Sequence, residues 1–403
     1  MLPLTAFFHI LRCAVARRHL NLESSFDKLA NTYYFIFIMS RNPRQTVTMR
    51  DIARESGLSQ PTVSLVLNGR CGSVRICDKT RRHVLDTACR LGYTKNALAT
   101  ALKTGKSKII GVVCLLGSYH VPGLLGAFLE SLQKQGYLMK LFGIVSERDE
   151  EFESAVRQFS EQCVDGVVCI SLKCRHFAIM RKLDAAGIPL LCLDFQQEVE
   201  GVAVVDSADF EGMHEMTSYL IKCGHRRIGH VSNYDPWNRD AILDGAVIRR
   251  QGYFAAMHDA GLAVDEHSLC LVSPLSAIDP ADIAVLDKFH EEYAPTALAC
   301  FSDVTALKVL QWAYTRGIKI PDDLSVTGFA GLSESALAAP ALTTMAQPFA
   351  EMGTYAAESL IGMICGKNFR RRKFSSTLIE RDSVKKIDHQ HLEDQAKSKG
   401  AAS

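Results

Sequence analysis

The chain has 403 residues, 47% of them hydrophobic and 22% charged, with thirteen cysteines and a net charge of +2 at pH 7. That length suits two or three domains, and that composition excludes a disordered, collagen-like or coiled-coil chain. No stretch reaches the roughly 18 consecutive apolar residues of a membrane span; the longest candidates, 2–11 and 33–39, fall short.

The near-neutral total hides an asymmetry. Residues 40–108 hold 14 Lys and Arg against 4 Asp and Glu, a net of +10, whereas residues 109–365 sum to −15. A small basic module joined to a large acidic body attracts polyanions at one end only. The cysteines show no C-x-x-C spacing and most lie in apolar runs (Cys114, Cys169, Cys192, Cys300), which points to buried free thiols of a reducing compartment and to no metal site.

In chain order, residues 1–38 come first. Apolar 4–13 precedes Arg17 and Arg18, the reverse of a secretory signal. Nothing in 1–38 is patterned to pack, so it is expected to be an unstructured extension, or to precede a true start at Met39. The basic module then runs 39–95. Thr48 can cap a helix with Asp51 at its third position, and Gly57 ends that helix. Ser59 can cap a second helix with Pro61 in its first turn and an apolar stripe of Val63, Val66 and Leu67. Ala53, Gly57 and Val63 stand at the spacing of a helix-turn-helix. A third helix is expected with Asp78 as cap and Val84, Leu85, Ala88 and Leu91 inward, ended by Gly92. Residues 96–103 form one more short helical stretch within a linker, 96–108. A helix this short is unstable alone in water, so it folds only when held.

The acidic body alternates apolar runs (109–116, 166–170, 189–193, 202–205, 228–231, 297–301, 324–329) with helix-sized segments (122–136, 149–163, 208–223, 245–260, 303–317, 349–365). Buried parallel strands read this way, and their number implies two doubly wound α/β sheets, hence two lobes over 109–383 and a disordered tail over 384–403. Ligands of such sheets bind beyond the carboxyl ends of the strands. The residues there are Tyr119 and His120, Asp194, Ser302 and Asp303, and Ala330 and Gly331 after Gly328 and Phe329. A carboxylate among them can accept paired hydrogen bonds from hydroxyls, and an aromatic can cover a sugar face. No G-x-G-x-x-G, G-x-S-x-G, G-x-x-x-x-G-K-[ST] or H-E-x-x-H occurs, and the histidines form no ligand pattern, so neither an enzyme nor a cofactor is expected. A pure solute receptor would lack the basic module and carry an export signal.

The order T-x-x-D-I-A-x-x-x-G-L-S-x-x-T-V-S-x-V-L-N from Thr48 to Asn68, then T-R, L-G-Y, N-A-L-A-x-x-L-K-T-G and I-G-V-V, resembles the lactose-repressor (LacI-type) family of bacterial transcription regulators. Within the body, Gly224-His-Arg-Arg-Ile-Gly229, Arg249-x-x-Gly252-Tyr253, Ser302-Asp303, 321–329 and Gln347-Pro-Phe349 are similar to family landmarks. The resemblance implies a helix-turn-helix domain joined to a periplasmic-binding-protein-like body of two lobes with three crossovers. It implies a repressor of a catabolic operon: a cytoplasmic, nucleoid-associated homodimer on a near-palindromic operator, controlled by a small sugar-like effector, with no membrane partner. On the DNA side it implicates Thr48, Ser59, Gln60, Pro61, Thr62, Ser64, Leu65 and Asn68. It adds Asn96, Ala99, Leu102 and Lys103 of the short stretch, which in the family is a hinge helix whose leucine wedges a base step open in the minor groove. Effector contacts fall on Asp194, Arg249, Ser302, Asp303 and Phe349, with Tyr119 and Phe329 beside them. The sequence departs from the pattern in Leu65, where arginine or histidine is common, in Thr100 for a frequent arginine, in a longer loop over 69–77, and in Ala330 for the usual aspartate. Base reading then leans on Gln60 and on apolar contact with thymine methyls.

Overall fold

A computed structural model describes residues 47–67, 76–93, 105–116, 118–145, 148–171, 174–196, 201–233, 245–273, 278–369 and 371–387. They form two units that part between Ala97 and Leu98.

In the first unit, α1 (Met49–Ser56) opens on a reciprocal cap: the Asp51 N–H reaches Thr48 Oγ1 at 3.4 Å, and the Thr48 N–H returns to Asp51 Oδ2 at 2.9 Å. Gly57 takes a left-handed φ of 68° and turns the chain. Helix α2 (Gln60–Leu67) is capped by Ser59, whose Oγ accepts from the Thr62 N–H at 3.3 Å. Ile52, Val63, Val66, Val84 and Ala88 form the buried core, with Ala53, Leu67, Leu91 and Tyr93 packed around it. Two expectations change at α3 (Asp78–Arg90). Asp78 is its first residue and Cys77 holds the capping position, Sγ lying 3.1 Å from Thr80 Oγ1. Leu85 is 47% exposed, because one residue beyond Val84 is a 100° step around the helix, and Thr87 is buried instead. Asn68 and the hinge residues Asn96, Ala99, Leu102 and Lys103 lie outside the described residues, as does the 1–38 extension.

The second unit holds two six-stranded sheets. The first contains β1 (Ile109–Leu115), β2 (Leu138–Ile144), β3 (Gly166–Ile170), β4 (Leu190–Leu193), β5 (Ala203–Ser207) and the late β11 (Arg372–Phe374), in the order β11-β5-β4-β3-β1-β2, all parallel. The second contains β6 (Ile228–Asn233), β7 (Leu269–Val272), β8 (Ala297–Cys300), β9 (Ser325–Ala330), β10 (Thr343–Ala346) and β12 (Thr377–Ile379), in the order β12-β10-β9-β8-β6-β7, with only β12 antiparallel. Helices cover both faces, and alternate strand residues supply two separate cores: Val112 and Val168 to one side of the first sheet, Val113 and Val167 to the other.

The chain crosses between the lobes three times, as the resemblance implies: from β5 into α7 (Asp209–Lys222), from β10 into α12 (Phe349–Ile364), and from β11 to β12. The first and third crossings are tied by the Ala208 N–H donating to Phe374 O at 2.8 Å. Each lobe also closes a helix pair on a glycine. A Cβ at Gly353 of α12 would stand 2.4 Å from Leu124 O in α4 (Val121–Lys134), and one at Gly252 of α8 (Gly245–Asp259) would stand 2.4 Å from Phe210 O in α7. The described residues continue past the expected end of the body at Ser383 as far as Ile387, and they pack on the second lobe. Ser383 is buried and donates to Val326 O at 2.6 Å, the Lys385 N–H reaches Ser325 Oγ, and the Ile387 N–H reaches Cys223 O at 2.7 Å.

Candidate functional site

On the first unit, Ser59, Gln60 and Pro61 at the start of α2 are exposed, and Thr62, Ser64 and Leu65 are half-buried. No charged residue lies on α2, so its accessible face offers an amide, hydroxyls and apolar surface. The exposed cations Arg50, Arg54, Lys79, Arg81 and Arg82 belong to α1 and α3. That division suits a helix that reads bases between flanks that hold phosphates.

In the second unit, the polar contact between the lobes centres on Arg249. Helix α8 brings this side chain in almost fully buried, at 4% exposure. Its Nε donates to Asp209 Oδ2 at 2.8 Å and its Nη2 stands 2.8 Å from the same oxygen. Other N–H groups reach Phe301 O at 2.9 Å, Gln347 Oε1 at 3.2 Å and the Tyr119 hydroxyl at 3.4 Å. The guanidinium also lies over Phe329, 4.0 Å from the ring centre, and over Phe301 at 4.8 Å. Burial works against its charge, and Asp209 and Tyr119 more than offset that, so its pKa lies above the ordinary arginine value. Burial raises the pKa of Asp209, which Arg249 opposes. Asp209 is the first residue of α7 and Gln347 just precedes α12, so one guanidinium gathers two crossings and, through Tyr119, the first lobe.

A second cluster extends from it along the first lobe. Asp194, at a left-handed φ of 58°, accepts from Ser171 Oγ at 3.0 Å, and Ser171 Oγ is in close hydrogen-bond contact with His120 Nε2. Since the serine proton goes to Asp194, His120 donates through Nε2–H. Burial, helped by Arg249, lowers the His120 pKa to about 4, so this ring is neutral at pH 7. Phe349 lies on the other side of His120, ring centres 6.3 Å apart, and presses on Gly123. Asp206, hydrogen-bonded to the Phe195 and Gln196 N–H groups and to Arg371, holds the turn that carries Asp194.

The structure therefore gathers Tyr119, Asp194, Arg249, Phe329 and Phe349. It turns two expected residues inward. Ser302 caps α10 (Asp303–Arg316), accepting from the Thr305 N–H at 3.1 Å. Asp303 is fully buried and spends both oxygens within its own lobe, on Thr344 Oγ1, Ser335 Oγ and the Leu332 N–H. A Cβ at Gly328 would stand 2.2 Å from Asp303 Oδ1, so this glycine makes room for the carboxylate. Ser171, Ser207, Asp209 and Gln347 were not singled out from sequence. Applying the strand-end rule to 166–170 and 202–205 as well would have found the first three. Gln347 stands within the landmark Gln347-Pro-Phe349, where the resemblance marks only Phe349 as an effector contact. Among the described residues no group of three His, Cys, Asp or Glu is placed to hold a metal, and no helix is long and apolar enough to cross a membrane.

A helix-turn-helix followed by two lobes joined through a buried polar cluster defines a DNA-binding protein with a two-lobed body of the ligand-binding kind. Residues 48–96 match the model for bacterial regulatory proteins of the lacI family, and residues 217–384 match the periplasmic binding protein-like domain. The chain is 31% identical over 312 residues to the HTH-type transcriptional regulator DegA of Bacillus subtilis, covering 76% of this chain and 88% of that one. It is 29% identical over 350 residues to the HTH-type transcriptional repressor PurR of Vibrio atlanticus, covering 85% and 99%. Among solved structures, the Lac repressor dimer bound to operator and the anti-inducer ONPF superposes with a TM-score of 0.73 at 21% identity, over 85% of this chain and all of that one. A complex of the transcriptional regulator CelR with cellobiose gives 0.60 at 25% identity, over 84% and 99%. The protein belongs to the LacI family and is a DNA-binding transcription regulator.

Proposed function

We propose that this regulator is a repressor that binds a near-palindromic operator as a homodimer, in the cytoplasm at the nucleoid, and is released or engaged by a small polyol or sugar-like effector in the interlobe cleft. The observation that carries the effector half is the Arg249 cluster, because one buried guanidinium contacts Asp209 and Gln347 at two lobe crossings and Tyr119 of the first lobe. A ligand that repositions any of these groups favours one arrangement of the lobes over another, which is the differential affinity that control requires. The DNA half rests on the uncharged exposed face of α2 between cationic flanks. Gln60, Pro61, Thr62 and Leu65 face the major groove, and Leu102 of the hinge wedges the minor groove. Titration of operator DNA with the full chain across a salt series tests this. Affinity should fall steeply as counterions are released, and Leu102→Gly should lose operator binding and DNA bend while effector affinity without DNA stays unchanged. A salt-independent affinity, or a normal bend in the variant, removes the reading.

A further inference from the structure

Residues 105–108 lead into β1, and Lys108, the last of them, holds a left-handed φ of 60°. A residue with a side chain keeps that conformation where its surroundings fix it. Asp165, which directly precedes β3, does so with both oxygens. Its Oδ1 accepts from the Ser107 N–H at 2.6 Å and from Ser107 Oγ at 2.8 Å, and its Oδ2 accepts from the Lys108 N–H at 3.0 Å. Ser107 Oγ in turn accepts from the Ile109 N–H at 3.1 Å. The backbone closes the same knot: the Asp165 N–H donates to Ile109 O and the Leu138 N–H to Lys108 O, both at 2.8 Å. Lys108 Nζ lies 3.9 Å from the centre of the Tyr137 ring. Beside Asp165, Gly166 packs on the last turn of α12, where a Cβ would stand 3.1 Å from the side chains of Leu360 and Ile364, and Lys106 Nζ reaches Ile364 O at 3.5 Å. The other end of α12, about 24 Å away at 1.5 Å per residue, is Phe349, two residues beyond Gln347 of the Arg249 cluster.

We propose that Asp165 is a positioning residue for operator binding: its carboxylate fixes the point and the direction in which the linker leaves the first lobe. The inference rests on the reading of the chain as a homodimer on a two-half-site operator. Ser107 and Asp165 are half-buried and Lys108 is exposed, so water replaces these bonds at little cost to the body when the carboxylate is removed. What is lost is placement. Once one DNA-reading unit of a dimer is bound, the second binds at an effective concentration set by the length and freedom of its linker. Releasing 105–108 lengthens the free linker and lets its direction wander, which lowers that concentration. The loss falls on DNA that engages both units and spares DNA that engages one.

The test uses the full chain and three duplexes: one that the wild type selects from a random library, the same duplex cut to a single half-site, and an unrelated one. Asp165→Ala should weaken binding to the selected duplex at least about threefold relative to the single half-site. That ratio cancels the unit of charge the substitution removes. The thermal melt of the body should stay in place, and hydrogen exchange at the Ser107 and Lys108 amides, slow in the wild type, should become fast. Should Asp165→Ala not fold, Asp165→Asn keeps the shape, loses one acceptor and is read the same way, with a smaller loss. A ratio unmoved in a folded variant, a loss equal on all three duplexes, a lowered melt that accounts for the loss, or fast exchange at both amides in the wild type overturns the proposal. If the wild type selects no duplex, the operator reading itself falls, and the proposal with it.

Discussion

Replacing Asp303 with alanine strands three donors, Thr344 Oγ1, Ser335 Oγ and the Leu332 N–H, inside the second lobe. Each unsatisfied buried donor costs about 1–3 kcal/mol, and relaxation recovers part of the sum, so Asp303→Ala should lower the urea-unfolding free energy of the body by roughly 3 kcal/mol. A stable Asp303→Ala protein with weakened ligand binding would instead restore Asp303 to the cleft. His120 makes a pH prediction. Its folded pKa of about 4 lies below the ordinary 6.5, so between those values the unfolded chain binds the proton and the native one does not. Stability is therefore full above pH 6.5 and falls as pH drops toward 4, by up to about 1.4 kcal/mol per unit. His230, buried and lowered to about 3, adds a parallel loss, while the raised carboxyls of Asp209 and Asp303 oppose both at the acid end. Thermal melts of His120→Asn from pH 7 to 5 should show a shallower slope than the wild type; parallel slopes would mean that His120 is solvated. The inward turn of Asp303 was hard to see in sequence, because a carboxylate after a strand looks alike whether it meets a ligand or its own lobe. Its partners, Ser335 and Thr344, are 32 and 41 residues away.

At the level of elements, residue types and contact geometry separate what was legible from what was not. Strands β1, β3, β4 and β8 are buried on nearly every residue and read as continuous apolar runs. Strand β2, Leu-Met-Lys-Leu-Phe-Gly-Ile, sits at a sheet edge with one side half-covered, and its mixed residues gave no run to find. Strand β10 begins Thr-Thr because Thr344 Oγ1 donates to Asp303 and Thr343 Oγ1 accepts from the Arg381 N–H at 2.9 Å, so two fully buried positions are polar and give no apolar run. In the helix-turn-helix every cap and turn is local, which is why it was readable almost residue by residue except at Asp78 and Leu85. Gln60→Ala should weaken specific binding by about 1–3 kcal/mol and leave affinity for random DNA nearly unchanged, as competition titrations would show. Equal losses on both would make Gln60 a backbone contact. Gly252→Ala forces a methyl to 2.4 Å from Phe210 O, and should part α7 from α8 and lower the melting temperature of the body, an overpacking penalty of about 1–3 kcal/mol. An unchanged melting temperature would mean that the helices separate freely.

For the molecule as a whole, both sheets end in strands that expose leucine: Leu138 and Leu141 on β2, Leu271 on β7. The prediction is that the proposed dimer covers these leucines with a second copy. Leu138→Lys with Leu141→Lys should shift the protein toward monomer in sedimentation and weaken operator binding far more than half-site binding; an unchanged sedimentation coefficient would place the interface elsewhere. The threading of the body between its lobes has a consequence for its synthesis. Helices α1 to α3 are contiguous and leave the ribosome first. The first lobe is not: Arg372, which opens its last strand, follows Ser207 by 165 residues. At about 5–20 residues per second that is a delay of roughly 8–33 s, during which the nascent chain carries a finished helix-turn-helix and an unfinished sensor. Every molecule passes through an interval in which its affinity for DNA precedes its ability to be controlled, and a ribosome that stalls before residue 372 leaves a fragment fixed in that interval.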